Sequence, residues 1–252
     1  MDYSIYSIRK DILPEVEEVL LHNFVFFLST GRCGTALITK ILEDSNKLIV
    51  YHDPIPILEY AFSHIFERNP TIESKKLAIL ASRFDHMFAK AKQENKIYIE
   101  TNCRITFFAD ALSKILPNSK FIHITRDPKD YVTSGMCRNY YKHESVQYQR
   151  LSTNSEYWNN LNQIEKITYE WNSINGFVED FKDDLLPKRH ITFKCEDIFK
   201  DSKYIHELIN FIDKDLEFGE SFIRGHLKTP VNSNLNRTFP SFENWNLEQK
   251  KS

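Results

Sequence analysis

The chain has 252 residues, 41% of them hydrophobic, which suits one domain spanning residues 1–252 around a large core. Its 33 basic and 35 acidic residues nearly cancel, so no overall charge draws it to nucleic acid, and any anion site has to be a local pocket. No stretch reaches the roughly eighteen apolar residues of a membrane span, and the N-terminus lacks the apolar core of a secretory leader, so a cytoplasmic protein with no membrane partner is expected.

Residues 1 to 22 hold one short apolar run, Val16 to Leu21, and read as an N-terminal helix or arm. Phe24-Val25-Phe26-Phe27-Leu28 has the content of a strand buried on both faces. It ends at Ser29-Thr30-Gly31, after which Leu37, Ile38, Ile41 and Leu42 recur at helical spacing, giving strand, tight loop, helix. The whole chain has only six glycines, and Gly31 and Gly34 share this loop, where a side chain would block a positive φ angle or the close approach of a ligand. A loop entering a helix N-terminus aims unpaired N–H groups and the positive end of the helix dipole at one place, which suits an anion. A magnesium nucleotide triphosphate fits poorly. Its loop needs a lysine directly after the last glycine, whereas Thr35 stands there and Arg32 is the loop's one cation. The acid that would hold magnesium at a neighbouring strand end is missing too.

Leu48 to Tyr51 makes a second strand that breaks at His52-Asp53-Pro54, and an apolar helix is expected from about Pro56 to Phe66. From Ile72 to Lys92, the residues Leu77, Leu80, Phe84, Met87 and Phe88 trace one helical face. Ile97-Tyr98-Ile99 gives a third strand ending at Glu100-Thr101-Asn102, followed by a helix from about Thr106 to Leu116. Lys120 to Thr125 forms a fourth strand, with His123 in its core, and Asp127 caps a new helix with Pro128 at its first position. One long helix, broken at Gly176, is expected between Glu156 and Leu185, its aromatic stripe facing the core. His190 to Phe193 supplies a fifth strand and Ile198 to Ile212 a further helix, after which no period is visible. This alternation predicts an α/β fold, a central parallel sheet of about five strands flanked by helices. The cysteines Cys33, Cys103, Cys137 and Cys195 are widely spaced, which argues for reduced thiols over a disulfide frame or a zinc site, and no metal is expected.

Three stretches in order resemble the P-loop-type sulfotransferase family, whose donor is 3′-phosphoadenosine 5′-phosphosulfate (PAPS). They are Thr30-Gly31-Arg32-Cys33-Gly34-Thr35 after the first strand, Arg126-Asp127-Pro128-Lys129-Asp130-Tyr131-Val132-Thr133-Ser134 after the fourth, and the weaker Cys195-Glu196-Asp197-Ile198 after the fifth. The resemblance implies a nucleotide-kinase-like sulfotransferase fold and a donor gripped at two anionic ends. Thr30, Gly31, Arg32, Cys33, Gly34 and Thr35 would hold the 5′-phosphosulfate, and Arg126 with Ser134 the 3′-phosphate. Arg138 either joins that second socket or is a surface residue. Val231-Asn232-Ser233-Asn234 and Phe239 to Trp245 resemble a segment that closes over the nucleotide, which makes Asn232 and Asn234 candidate contacts. Asn246 and Gln249 suit a capping box opening a last helix, and relatives run on past the position of Ser252, so a chain that continues is expected.

Sulfuryl transfer to a hydroxyl, or less favourably an amine, of a small-molecule acceptor would leave 3′-phosphoadenosine 5′-phosphate (PAP). It needs alignment, charge stabilisation from Arg32, and a base. Asp53 is the first candidate base, the competing reading being a turn or helix cap before Pro54. Glu100 is the second and His52 the third. Cys33 stands where the family usually has serine, and beside a helix N-terminus its thiol pKa is expected to fall. Cys195 replaces an adenine-contacting tyrosine, for which Phe193 or Trp158 would compensate. The rivals are a small-molecule kinase using ATP and magnesium, and a non-catalytic nucleotide-binding module. Nothing in the sequence fixes an oligomeric state.

Overall fold

A computed structural model describes residues 13–58, 66, 70–142, 151, 156–229 and 238–251. Helix α1 (Leu13–Leu20) leads into strand β1 (Phe24–Ser29), and α2 (Thr35–Leu42) returns to β2 (Leu48–Tyr51). Then follow α3 (Ile72–Arg83), a π turn over Phe84–Phe88, α4 (Ala89–Gln93) and β3 (Ile97–Glu100). A 3-10 stretch, Cys103–Phe108, opens into α5 (Ala109–Ile115) before β4 (Lys120–Thr125) and α6 (Pro128–Cys137). The second half adds α7 (Glu156–Asn160), α8 (Gln163–Asp183), β5 (His190–Lys194), α9 (Cys195–Lys200), α10 (Ser202–Ile212), α11 (Glu220–Leu227) and α12 (Leu247–Lys251).

The strands form one parallel sheet in the order β2-β3-β1-β4-β5. β1 lies at its centre, and every residue of it is buried. Alternation along β1 divides the core. Phe24, Phe26 and Leu28 pack with Tyr98, Phe88, Phe108 and Phe121 on one face, under α3, α5 and α8. Val25 and Phe27 pack on the other, where α10 buries Ile205, Leu208, Ile209 and Ile212 at helical spacing. Both faces of the sheet are therefore covered, as expected where helices cross between parallel strands. All strands run the same way, so the loops after β1, β2, β3 and β4 gather at one edge.

Four helix expectations need correcting. The face of α3 is built on Lys75, Ile79 and Arg83, while Leu77 is 69% exposed. Both buried cations have carboxylate partners, Lys75 on Asp110 at 2.8 Å and Arg83 on Glu100 at 3.1 Å, and these let charged residues take core positions. The long helix runs unbroken through Gly176 and begins instead at Asn162. There the Asn162 side chain accepts from the Glu165 N–H at 3.0 Å and Glu165 accepts from the Asn162 N–H at 2.6 Å, a reciprocal cap that separates α8 from α7. The segment from Cys195 to Ile212 is two helices, parted where the Asp201 side chain caps Lys203 N–H at 3.0 Å. Helix α11 was not expected at all. The predicted helix from Pro56 to Phe66 lies mostly outside the described residues. Among the described residues no helix is long and apolar enough to cross a membrane.

Candidate functional site

The loop after β1 turns through Gly31, Arg32 and Gly34 with φ angles of 75°, 59° and 79°. Left-handed residues this close together turn the backbone sharply between β1 and α2, the kind of turn that can offer N–H groups to an anion. The curl is tied from within: the Ser29 hydroxyl accepts from Gly31 N–H at 3.1 Å, and the Thr30 hydroxyl and Cys33 thiol each donate to the Gly31 carbonyl at 3.1 Å. Gly34 is the residue before α2, and a side chain there is barred twice. Its φ is left-handed, and an added Cβ would lie 2.2 Å from the ring of Phe199.

Past β4, the Asp127 side chain caps Lys129 N–H at 2.9 Å and Pro128 takes the first position of α6, as the sequence predicts. Backbone at this turn is pinned from two sides. Trp171 Nε1 donates to the Arg126 carbonyl at 2.9 Å, and Glu196 accepts from Asp127 N–H at 3.0 Å, which joins the third motif to the second. Ser134 is buried one and a half turns into α6.

The two predicted sockets touch. Arg126 Nη1 donates to the Arg32 carbonyl at 2.8 Å, and Arg32 Nε donates to the Ser134 hydroxyl at 3.3 Å. Beneath them the Tyr131 hydroxyl sits 2.8 Å from Glu170 Oε1 and 3.4 Å from the Thr30 carbonyl, while Tyr141 donates to Glu170 Oε2 at 2.7 Å. Sequence reasoning passed over Glu170, a fully buried carboxylate on α8 whose tyrosine partners come from distant positions.

The tips of β2 and β3 carry the candidate bases. Asp53 has φ 53° and a side chain 44% exposed, with Arg104 Nη1 at 3.5 Å from one oxygen and His52 Nε2 at 3.9 Å from the other. His52 Nδ1 lies 2.8 Å from the Thr101 hydroxyl. Glu100 is committed elsewhere. It is fully buried, gripped by Arg83 Nε and Nη2 at 3.1 Å each, and bonded by the Tyr98 hydroxyl at 2.7 Å. Arg83 also donates to the Pro56 carbonyl at 3.0 Å, so this pair braces the loop that carries Asp53 rather than presenting a lone pair to a substrate.

Other expectations divide. Arg138 closes α6, half-buried, with its N–H on the Gly135 carbonyl at 3.0 Å. Asn232 and Asn234 lie outside the described residues. Phe193 and Trp158, the proposed stand-ins for an adenine contact, are both packed into the cores. The expectation for Cys33 is overturned: burial pushes its thiol up to about 11, against the smaller opposing pull of the Thr30 hydrogen bond and Arg126. His123 is strand core as expected, with Nε2 3.0 Å from Asn175 Oδ1. The reciprocal cap of Asn246 and Gln249 is present, at 2.8 Å both ways, and opens α12.

A five-stranded parallel sheet, with a glycine loop after its central strand and an arginine after the neighbouring β4, frames the candidate site. A model of the sulfotransferase family matches residues 25–215, and the chain belongs to that family. The fold is shared with a sulfotransferase domain from the curacin biosynthetic pathway, at 16% identity and a TM-score of 0.54 over 80% of this chain and 77% of that one. It is shared also with a sulfotransferase from Alicyclobacillus acidocaldarius, at 15% identity and 0.51 over 80% and 87%. A third is the sulfotransferase domain of the Synechococcus PCC 7002 olefin synthase, at 16% identity and 0.52 over 87% and 81%. No curated protein sequence gives a match.

Proposed function

We propose that the protein transfers the sulfuryl group of PAPS to a hydroxyl of a small molecule, an amine being the less favoured acceptor. The observation that carries this reading is the contact between the sockets: Arg126 on the Arg32 carbonyl, and Arg32 on the Ser134 hydroxyl. A donor with phosphate at both the 3′ and 5′ positions has two anionic ends, and two adjacent sets of donors suit it better than one continuous triphosphate cradle does.

In this reading the loop's N–H groups, with Thr30, Cys33 and Thr35 shaping it, hold the phosphosulfate, and Arg126 and Ser134 hold the 3′-phosphate. The acceptor oxygen attacks sulfur in line, the bond from sulfur to the bridging phosphate oxygen breaks, and PAP leaves with that electron pair. Arg32 neutralises the charge gathering on the bridging oxygen. The proton falls to the pair at the tip of β2, Asp53 and His52, because Glu100 is held by Arg83. No residue in the scheme calls for a metal. All four cysteines are free thiols, which suits a reducing compartment and a cytoplasmic place of action.

Calorimetry with PAP against ATP plus magnesium tests the donor. PAP is expected to bind tighter by roughly ten- to a hundredfold, the worth of one charge-assisted contact to the 3′-phosphate. Equal or tighter binding of the ATP–magnesium pair would overturn the reading in favour of a kinase. Tight PAP binding without sulfated product across a panel of alcohols and amines would leave a binding module.

A further inference from the structure

A line of hydroxyls crosses from the acceptor side of the sheet to the donor loop. His52 Nδ1 lies 2.8 Å from Thr101 Oγ1, Thr101 Oγ1 lies 2.8 Å from Thr39 Oγ1, and Thr39 Oγ1 lies 2.8 Å from the Thr35 carbonyl. Thr101 and Thr39 are both buried, so no solvent competes for these bonds. Thr35 is the first residue of α2, immediately after the anion loop.

The protons in this line can be counted. A carbonyl only accepts, and each threonine hydroxyl has one proton to give. Thr39 donates to the Thr35 carbonyl, so it can only accept from Thr101. Thr101, having donated to Thr39, can only accept from His52, whose Nδ1 must then carry a hydrogen. If Thr101 instead donates to its second neighbour, the Tyr51 carbonyl at 3.3 Å, and Thr39 donates to Thr101, Nδ1 still has to be the donor. Placing the hydrogen on Nε2 requires Thr101 to donate to Nδ1, which gives up the Tyr51 carbonyl bond and, with it, either the Thr35 carbonyl bond or the Thr39–Thr101 bond.

We propose that the Thr39–Thr101 chain fixes neutral His52 as the Nδ1–H tautomer, and so makes His52 Nε2 the atom that takes the acceptor's proton. The proposal rests on the sulfuryl-transfer reading and assigns its base. Nε2 is 3.9 Å from Asp53 Oδ2, beyond hydrogen-bond distance while neutral. As the acceptor O–S bond forms and the S–O bond to phosphate breaks, the acceptor's proton moves to Nε2, and the resulting imidazolium faces the Asp53 carboxylate. Among the described residues, the charged group beside the ring is Asp53, whose other oxygen has Arg104 Nη1 at 3.5 Å. His52 is then the catalytic residue, and Thr101 and Thr39 are positioning residues. The same chain ends on the first residue of the helix behind the donor loop, so it also sets the base against the donor.

The test is nitrogen-15 NMR of the full protein labelled at histidine, with a His52→Gln variant to assign the signal. The wild type is expected to show the Nδ1–H pattern for His52. Thr101→Val, which keeps shape and removes the hydroxyl, is expected to release Nε2–H and lower kcat about tenfold, and Thr101→Ser to restore both. His52→Gln is expected to lower kcat by roughly 10²- to 10⁴-fold. An Nε2–H signal in the wild type, or a Thr101→Val protein with unchanged tautomer and kcat, overturns the proposal. Thr101→Ala, which also removes the hydroxyl, supplies the same readout should Thr101→Val fail to fold. The tautomer is read without donor or acceptor, so a protein that fails to bind PAP sinks the transfer reading while leaving the tautomer result standing.

Discussion

At the tips of β1 and β4, the two arginines tie the loops to each other, Arg126 donating to the Arg32 carbonyl and Arg32 to the Ser134 hydroxyl. At the tips of β2 and β3, an opposite charge stands beside each carboxylate, Arg83 on Glu100 and Arg104 near Asp53. A cation matched by a buried carboxylate has its field cancelled and acts as scaffold, whereas arginines that bridge two loops fix the position of each loop against the other. The carboxyl edge of one sheet thus carries cations that join two loops and, at Arg83, a cation that braces one. Distinguishing them requires the partners and not the residue types.

The comparison breaks first at Glu100. Glu100→Ala leaves Arg83 buried without a counter-charge and is expected to cost about 3–5 kcal/mol in urea unfolding. A stably folded Glu100→Gln protein without turnover would instead return Glu100 to the list of bases. Next comes a split within the donor half. Arg32→Ala is expected to lower kcat by roughly 10²–10³-fold with a smaller change in PAP affinity. Arg126→Ala is expected to weaken PAP by about ten- to a hundredfold, read by calorimetry, and matching effects from the two variants would erase the assignment of separate sockets. The smallest effect concerns Cys33. With its thiol pushed up to about 11, the fold keeps a proton that the unfolded chain releases from about pH 9. Stability is therefore lost as pH rises through that window, not as it falls. Alkylation of Cys33 in the native protein should show no thiolate-driven rise between pH 7 and 9, and a rise there would mean the loop opens.

All five strands and the loops after β1 and β4 could be read from the sequence, because buried parallel strands are runs of apolar residues and these loops carry glycine and proline where backbone geometry demands them. What could not be read depends on partners distant in sequence. Lys75 and Arg83 count as surface residues in any periodicity, and only Asp110 and Glu100 turn them inward, leaving Leu77 outside. The start of α8 was written in Asn162 and Glu165, yet the aromatic stripe runs on across the cap and hides it. Thr39 and Thr101 carry no signal by themselves. Their importance appears only once β3 lies between β2 and β1 and the two hydroxyls meet. For Cys33 the helix N-terminus was visible and the depth of burial was not, and burial decided the outcome.

The helix that bears Ser134 is propped by chain made much later. Phe239, Phe242 and Trp245 pack against Tyr131 and Val132, Cys137 Sγ reaches the Phe239 carbonyl at 3.9 Å, and Lys129 lies 4.5 Å over the Phe242 ring. The position of Ser134 therefore depends on this aromatic clasp as well as on its own helix, and a change at Phe239 or Trp245 would shift it without touching either loop.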